Sequence, residues 1–268
     1  MSENYVPPLC RVIRWLALIA GFLAFSGTAY GQGSREAVIA AASDLKFVLD
    51  EISTAYTAST TRRVRPVYGS SGNFFRQIEQ GAPFGIFMSA DEEFVFRLAA
   101  AGKTEDRGVQ YAIGRIVLFA PEGAVLGVDE RMDGLKSALD QGRIKRFAIA
   151  NPEHAPYGRA AEQALRSVGL WESVRGHLVL GENVSQAAQF ASGGSAQGGI
   201  FAYSLALSPA VSRLGRHVLL PENLHQPLRQ RMVLIKGAGA DAREFFRFLQ
   251  QPAARALFKR YGFGLPGE

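Results

Sequence analysis

Along this chain, short apolar runs alternate with stretches in which apolar residues return every three or four positions. The first pattern fits buried strands and the second fits helices with one covered face. Ala37–Ala42 reads as a strand of small residues. Leu45, Val48, Ile52 and Tyr56 follow at helical spacing, with Ser43 placed to cap that helix. Residues 64–68 read as a strand, and Phe74, Phe75 and Ile78 mark a short helix ended by Gly81. Residues 86–88 form a buried strand before a helix starting near Asp91, and residues 116–119 and Phe147–Ala150 add two more strands. Ala160, Ala161, Ala164, Leu165 and Val168 give one helix its covered stripe, and later strands fall at 178–180, 200–201 and 232–235. Two helices close the chain: Phe245, Phe246 and Leu249 face inward in the first, while Pro252 starts the second and Gly262 caps it. This alternation predicts an α/β protein with sheets covered on both faces.

Four of the strand-to-helix turns share a chemistry. They are Ala41-Ala42-Ser43-Asp44, Tyr68-Gly69-Ser70-Ser71-Gly72, the stretch from Asn151 to Gly158, and Gly181-Glu182-Asn183-Val184-Ser185. Each aims unpaired backbone N–H groups out of a helix N-terminus, where the dipole favours negative charge, and three of them add a serine hydroxyl. None carries a lysine or arginine. Converging neutral donors of this kind suit a small anion that is held reversibly.

The first 31 residues have the pattern of an export signal: Arg11 and Arg14 precede an apolar run over 15–25, and Ala29-Tyr30-Gly31 supplies small residues for cleavage. That run is shorter than the roughly 20 residues a spanning helix needs, so cleavage is expected over a retained anchor. The single cysteine, Cys10, would leave with the leader, which removes disulfides, thiolate ligands and a cysteine nucleophile from the mature chain. The full chain has a net charge of +6; without Arg11, Arg14 and Glu3, 28 basic and 23 acidic residues remain, well interspersed. Such mixing argues for a solvated surface and against a nucleic-acid partner.

The histidines His154, His177, His217 and His225 show no metal-ligand spacing. Gly69 to Gly72 is one residue short of a nucleophile elbow, and no histidine and aspartate partners are evident, so a secreted hydrolase using Ser71 is a minor alternative. The Gly-rich stretch 192–199 lacks the lysine of a phosphate loop and reads as a connection.

Taken in order, the motifs resemble the periplasmic molybdate-binding proteins of ABC importers, the ModA family. The stretches are Ala-Ala-Ser-Asp-Leu at 41–45, Tyr-Gly-Ser-Ser-Gly-Asn-Phe-Phe-Arg-Gln-Ile at 68–78, Gly-Ala-Pro-Phe at 81–84 and Met-Ser-Ala-Asp at 88–91. Tyr-Ala-Ile-Gly-Arg-Ile-Val-Leu at 111–118, Ala-Asn-Pro-Glu-His-Ala-Pro-Tyr-Gly at 150–158, Gly-Glu-Asn-Val-Ser-Gln-Ala at 181–187 and Phe-Lys-Arg-Tyr-Gly-Phe at 258–263 continue the set. The resemblance implies a two-lobed periplasmic binding protein fold of type II, each lobe a mixed sheet flanked by helices, joined by two crossover strands. It places lobe one at 32–115 plus 229–268 and lobe two at 116–228.

The same resemblance implies a monomeric, non-enzymatic periplasmic receptor with no cofactor and no catalytic residues. It would bind molybdate and tungstate and deliver them to an inner-membrane ABC permease. Ser43 and Ser71 would give hydroxyl donors, Ala90 backbone contacts, and Tyr157 and Val184 backbone N–H groups, all to the oxygens of the anion and none to the metal itself. A tyrosine ligand found in some members falls here on Ala202, next to Tyr203. Asp44 is a departure: a carboxylate facing a dianion in a dry cleft is strongly repelled. Asp44 is therefore expected to turn away and support the helix start, offering only its backbone N–H. A same-fold receptor for sulfate or phosphate, or a sensory module for the same anion, remain the alternatives.

Overall fold

A computed structural model describes Met1 and residues 36–268. The leader reading, with Cys10, Arg11, Arg14 and the run over 15–25, lies outside the described residues.

The small, β-branched and aromatic runs become ten strands in two five-stranded sheets. The first sheet has the order β2 (Val64–Gly69), β1 (Ala37–Ala42), β3 (Ile86–Ser89), β10 (Leu228–Leu234) and β4 (Val109–Gly114). The second has β7 (Leu178–Gly181), β6 (Phe147–Ala150), β8 (Gly199–Ala202), β5 (Ile116–Pro121) and β9 (Gly215–Leu219). In each sheet three parallel strands are followed by an antiparallel one, β10 or β5. Those antiparallel strands are the ones the chain enters after crossing between sheets, through Arg115 in one direction and through residues 220–227 in the other. Each sheet with its helices makes one lobe, so both lobes are mixed and the molecule has two crossovers.

Helices α1 (Lys46–Thr60), α2 (Ser71–Glu79), α3 (Glu92–Ala100), α4 (Asp133–Asp140), α5 (Pro156–Ser167), α6 (Val184–Ser192), α7 (Ala240–Phe248) and α8 (Pro252–Arg260) cover the sheets. The pleat explains how one strand feeds two layers. Along β3, Ile86 and Met88 pack with Leu49, Ile52 and Tyr56 of α1 and with Phe245 and Phe258, while Phe87 points to the other face, against Phe74 and Phe75 of α2 and Val95 of α3. Pro252 occupies the first turn of α8 and Gly262 ends it with φ +78°, as the sequence predicts. Asp91 caps α3 through its side chain, accepting from Glu93 N–H at 3.0 Å.

Of the strands and helices named above, three were not predicted: β4, β9 and α4. Both strands are sheet edges with only short apolar runs, Tyr111-Ala112-Ile113 after Gln110 in β4 and Val218-Leu219 after Arg216 and His217 in β9. The last strand also departs from its predicted range of 232–235. It begins at Leu228, because Arg229, Gln230 and Arg231 hide its first half and a register shift falls between Gln230 and Arg231. Ser43 does not cap a helix. Residues Ser43–Leu45 form one tight turn before α1, without a side-chain cap, and the Ser43 hydroxyl faces the other lobe instead.

Candidate functional site

In open α/β sheets, the strand ends that carry the turns into helices make the binding crevice. Here β1 and β2 deliver two such turns from one lobe, and β6 and β7 deliver two from the other. The four turns meet around a small cavity. Ser43, Asp44, Ser71, Ala90, Tyr157 and Val184 are all among its lining residues. Among the described residues, no lysine, arginine or histidine lines it.

The lobes interlock through polar contacts at these turns. The Ser43 hydroxyl donates to Asn183 Oδ1 at 3.0 Å and accepts from Ser185 N–H at 3.2 Å, while the Ser185 hydroxyl donates to the Ser43 carbonyl at 2.8 Å. Asn183 also caps α6 by accepting from Gln186 N–H. Gly72 N–H donates to the His154 carbonyl at 3.0 Å, and the Ser70 hydroxyl reaches both that carbonyl, at 2.5 Å, and His154 Nδ1, at 2.9 Å. At the rims, Asn73 bonds Glu182 and Arg159 pairs with Asp91.

Ser71 is held differently. Its hydroxyl oxygen accepts from Ala90 N–H at 3.0 Å, so its own proton is left to donate elsewhere. Ala90 therefore spends its N–H on orienting Ser71. Among the described residues, the N–H groups of Ser71, Tyr157 and Val184 have no hydrogen-bond partner. Pro156 opens α5 with its missing N–H, so Tyr157 supplies the first amide of that helix. Neither Ser43 nor Ser71 caps its own helix through its side chain, so simple capping does not account for them. Ala202 is buried outside the cavity wall, and Tyr203 packs against His217 with ring centres 5.7 Å apart.

Asp44 departs from the sequence expectation in one respect. Its carboxylate caps no helix start; it is 1% exposed and lies at the junction of the lobes. Oδ2 accepts from the Tyr157 hydroxyl at 2.9 Å and from Gln230 Nε2 at 2.6 Å, whereas Oδ1 has no partner among the described residues. Gln230 also donates to the Tyr157 hydroxyl at 3.0 Å and accepts from Tyr111 at 2.6 Å. The Ser204 hydroxyl reaches the Asp44 carbonyl at 2.8 Å. Burial pushes the Asp44 carboxyl from 3.8 up to about 6, against the smaller opposite effects of Gln230, Tyr157 and its own amide. Burial, and then the nearby carboxylate, raise Tyr157 and Tyr111 well above the ordinary tyrosine range, so both remain donors at neutral pH.

Apart from Asp44, whose backbone was already a candidate, the turn chemistry in the sequence pointed to Asn183 and Ser185 but gave them no role. Gln230, Tyr111 and Ser204 were missed. Gln230 is fully buried in the first half of β10, and between Arg229 and Arg231 nothing in the sequence flags it. Tyr157→Phe removes the cross-lobe donor to Asp44. A hydrogen bond to a charged group contributes about 1.5–3 kcal/mol, so the variant should shift the ligand-free protein toward the open arrangement. X-ray scattering checks this, with a larger radius of gyration expected for the variant than for the parent.

A family model for bacterial extracellular solute-binding proteins matches residues 37–264. The chain is also 33% identical over 240 residues to the molybdate-binding protein ModA of Rhodobacter capsulatus, covering 88% of this chain and 91% of that one. This protein is a bacterial extracellular solute-binding protein of the ModA family. The ModA of Azotobacter vinelandii is 32% identical over 253 residues, covering 93% of this chain and 96% of the relative. The solved periplasmic molybdate-binding protein of that organism superposes with a TM-score of 0.78 at 30% identity, covering 86% of this chain and all of that one. Solute-binding proteins of this family are transport components and not enzymes. Among the described residues, His154 lies at the cleft serines and faces Ser70, while Ser71 bonds Ala90. Among the described residues of this solute-binding protein, no helix is long and apolar enough to cross a membrane.

Proposed function

We propose that this protein captures molybdate, and tungstate with it, between its lobes and delivers it to an inner-membrane ABC permease. The lobes are taken as 32–115 with 229–268, and 116–228, and the leader as cleaved on export to the periplasm. The observation that carries this reading is a cavity whose free donors are neutral and come from both lobes: Ser71 from one, Tyr157 and Val184 from the other. Ser43 adds a hydroxyl once the anion replaces Asn183 as its acceptor.

A tetrahedral dianion offers about eight acceptor positions, which N–H and O–H donors alone can fill. Each hydrogen bond to a charged partner contributes about 1.5–3 kcal/mol, enough in sum to offset a large desolvation cost. Donors spaced for long metal–oxygen bonds leave smaller sulfate underbonded. The anion would bridge the lobes and so shift the protein toward its closed arrangement.

One observation favours a second reading. An ionised Asp44, with Oδ1 unpartnered in a cavity-lining residue, is an acceptor suited to a protonated oxyanion such as hydrogen phosphate. Calorimetric titration separates the two. The first reading expects tight binding of molybdate and tungstate with sulfate and phosphate far weaker; phosphate binding as tightly as molybdate sinks it. Melting of the protein gives the same answer, with Trp171 as the fluorescent reporter in the lobe of β5 to β9. A ligand at a thousandfold excess over its dissociation constant stabilises by about 4 kcal/mol. That corresponds to a rise on the order of 10 °C for a chain of this size.

A further inference from the structure

We propose that Asp44 enters the anion complex as the neutral acid, with its proton on Oδ1, and serves as one of the donors around the bound oxyanion. This inference rests on the oxyanion reading of the cavity.

Geometry assigns the proton to that oxygen. Oδ2 already accepts two hydrogen bonds, from Tyr157 and Gln230. Oδ1 is buried and accepts none among the described residues, and Asp44 lines the cavity. A carboxylate left with one bare oxygen in a dry site is poorly stabilised, whereas a carboxylic acid there has an O–H to donate.

Among the described residues, no cation near Asp44 keeps it ionised. On its own side, Lys46 of α1 pairs with Asp50, and the Tyr68 hydroxyl of β2 also goes to Asp50, while Glu51 pairs with Arg260. Arg229 and Arg231 of β10 both face Glu92. From β4 only the neutral Tyr111 is close, acting through Gln230. From the other lobe come Tyr157 of α5 and the turn Tyr203–Ala206, whose Ser204 touches the Asp44 carbonyl; α6 contributes no titratable side chain. His154 and Glu182, at the cleft rim, face each other across 3.6 Å. A second negative charge brought into this enclosure by the anion therefore meets Asp44 with nothing between them to offset it. The two charges repel far more strongly there than in water. Burial alone already holds the carboxyl near the neutral range, so a proton from solvent is the least costly answer.

The balance is one proton taken from solvent for each anion bound, with no bond made or broken in the anion. Because the ligand-free carboxyl is mostly ionised above about pH 6 and the bound one is protonated, affinity falls as pH rises. The slope is about tenfold per pH unit between the free and bound values. Asp44→Asn imitates the neutral acid: its carbonyl can accept from Tyr157 and Gln230 while its amide donates from the Oδ1 position.

Titration calorimetry with molybdate at about pH 7.5, in buffers of different ionisation enthalpy, reads the proton directly. The parent should take up close to one proton per anion and Asp44→Asn close to none, with a dissociation constant for the variant that is flat across pH. Anion binding with no proton uptake by the parent, or with equal uptake by parent and variant, overturns the inference while leaving the oxyanion reading intact. Absence of binding to any oxyanion overturns that reading, and this inference with it.

Discussion

Gly72→Ala is expected to abolish most of the affinity for the anion while leaving each lobe folded. Gly72 sits in the first turn of α2, and the atoms a methyl there would meet all belong to His154 of the other lobe. It would lie 2.5 Å from the His154 carbonyl oxygen and 3.0 Å from its Cα, both backbone atoms that cannot rotate away. The clash exists only when the lobes are closed, and the Gly72 N–H bond to that carbonyl would be lost with it. Donors of the two lobes then stay too far apart to share one ion. A loss of about a hundredfold or more, equivalent to about 2.7 kcal/mol, is the expected result by calorimetry. Melting without ligand should change little, which separates a closure defect from a folding defect.

Ser71→Ala is the second large effect. It deletes the hydroxyl proton aimed away from Ala90 and strands the buried Ala90 N–H that the hydroxyl oxygen had accepted. Loss of a donor to a charged ligand costs about 1.5–3 kcal/mol, and the orphaned amide adds to it in the free protein as well. The dissociation constant for molybdate should rise about ten- to a hundredfold. Ser43→Ala should fall in the same range for a different reason. That hydroxyl accepts from Ser185 N–H across the cleft, so the variant loses this closing contact together with the donor to the anion. Calorimetry on both variants checks the pair; Ser71→Ala binding like the parent would remove it from the anion's surroundings. Ser71→Thr, which keeps the hydroxyl, should restore part of the affinity.

The elements that the sequence made legible are those built from continuous apolar runs. β1, β3 and β6 are buried on both faces, so every residue had to be apolar or small, and their ranges were read to within a residue. β4 and β9 are edges whose apolar runs are cut short by Gln110 and by Arg216 and His217. The antiparallel strand β10 was half read because its first residues serve the site: Gln230 is there to bond Asp44, and Arg231 to bond Glu92. Local pattern describes packing and is silent where a strand position is given to a polar network.

The candidate site divides along the same line. The turns were visible because unpaired amides at helix starts need glycine, serine, proline and asparagine, which mark themselves. The partners of those turns were not visible. Ser43 and Asn183 are 140 positions apart, and Asp44 and Gln230 are 186 apart. Nothing local in either sequence stretch says which serine meets which asparagine. The expectation that Asp44 would turn away from the anion and support the helix start followed from charge repulsion alone. The carboxylate is taken up by Tyr157 and Gln230 at the lobe junction and not by the helix start.

A crystal grown with molybdate bears most directly on whether uncharged groups of two hinged lobes enclose the guest. The anion's oxygens should lie about 2.7–3.1 Å from the Ser43 and Ser71 hydroxyls and from the N–H groups of Tyr157 and Val184. An anion seated at the rim against the Arg159 guanidinium, with those four groups out of reach, would contradict it.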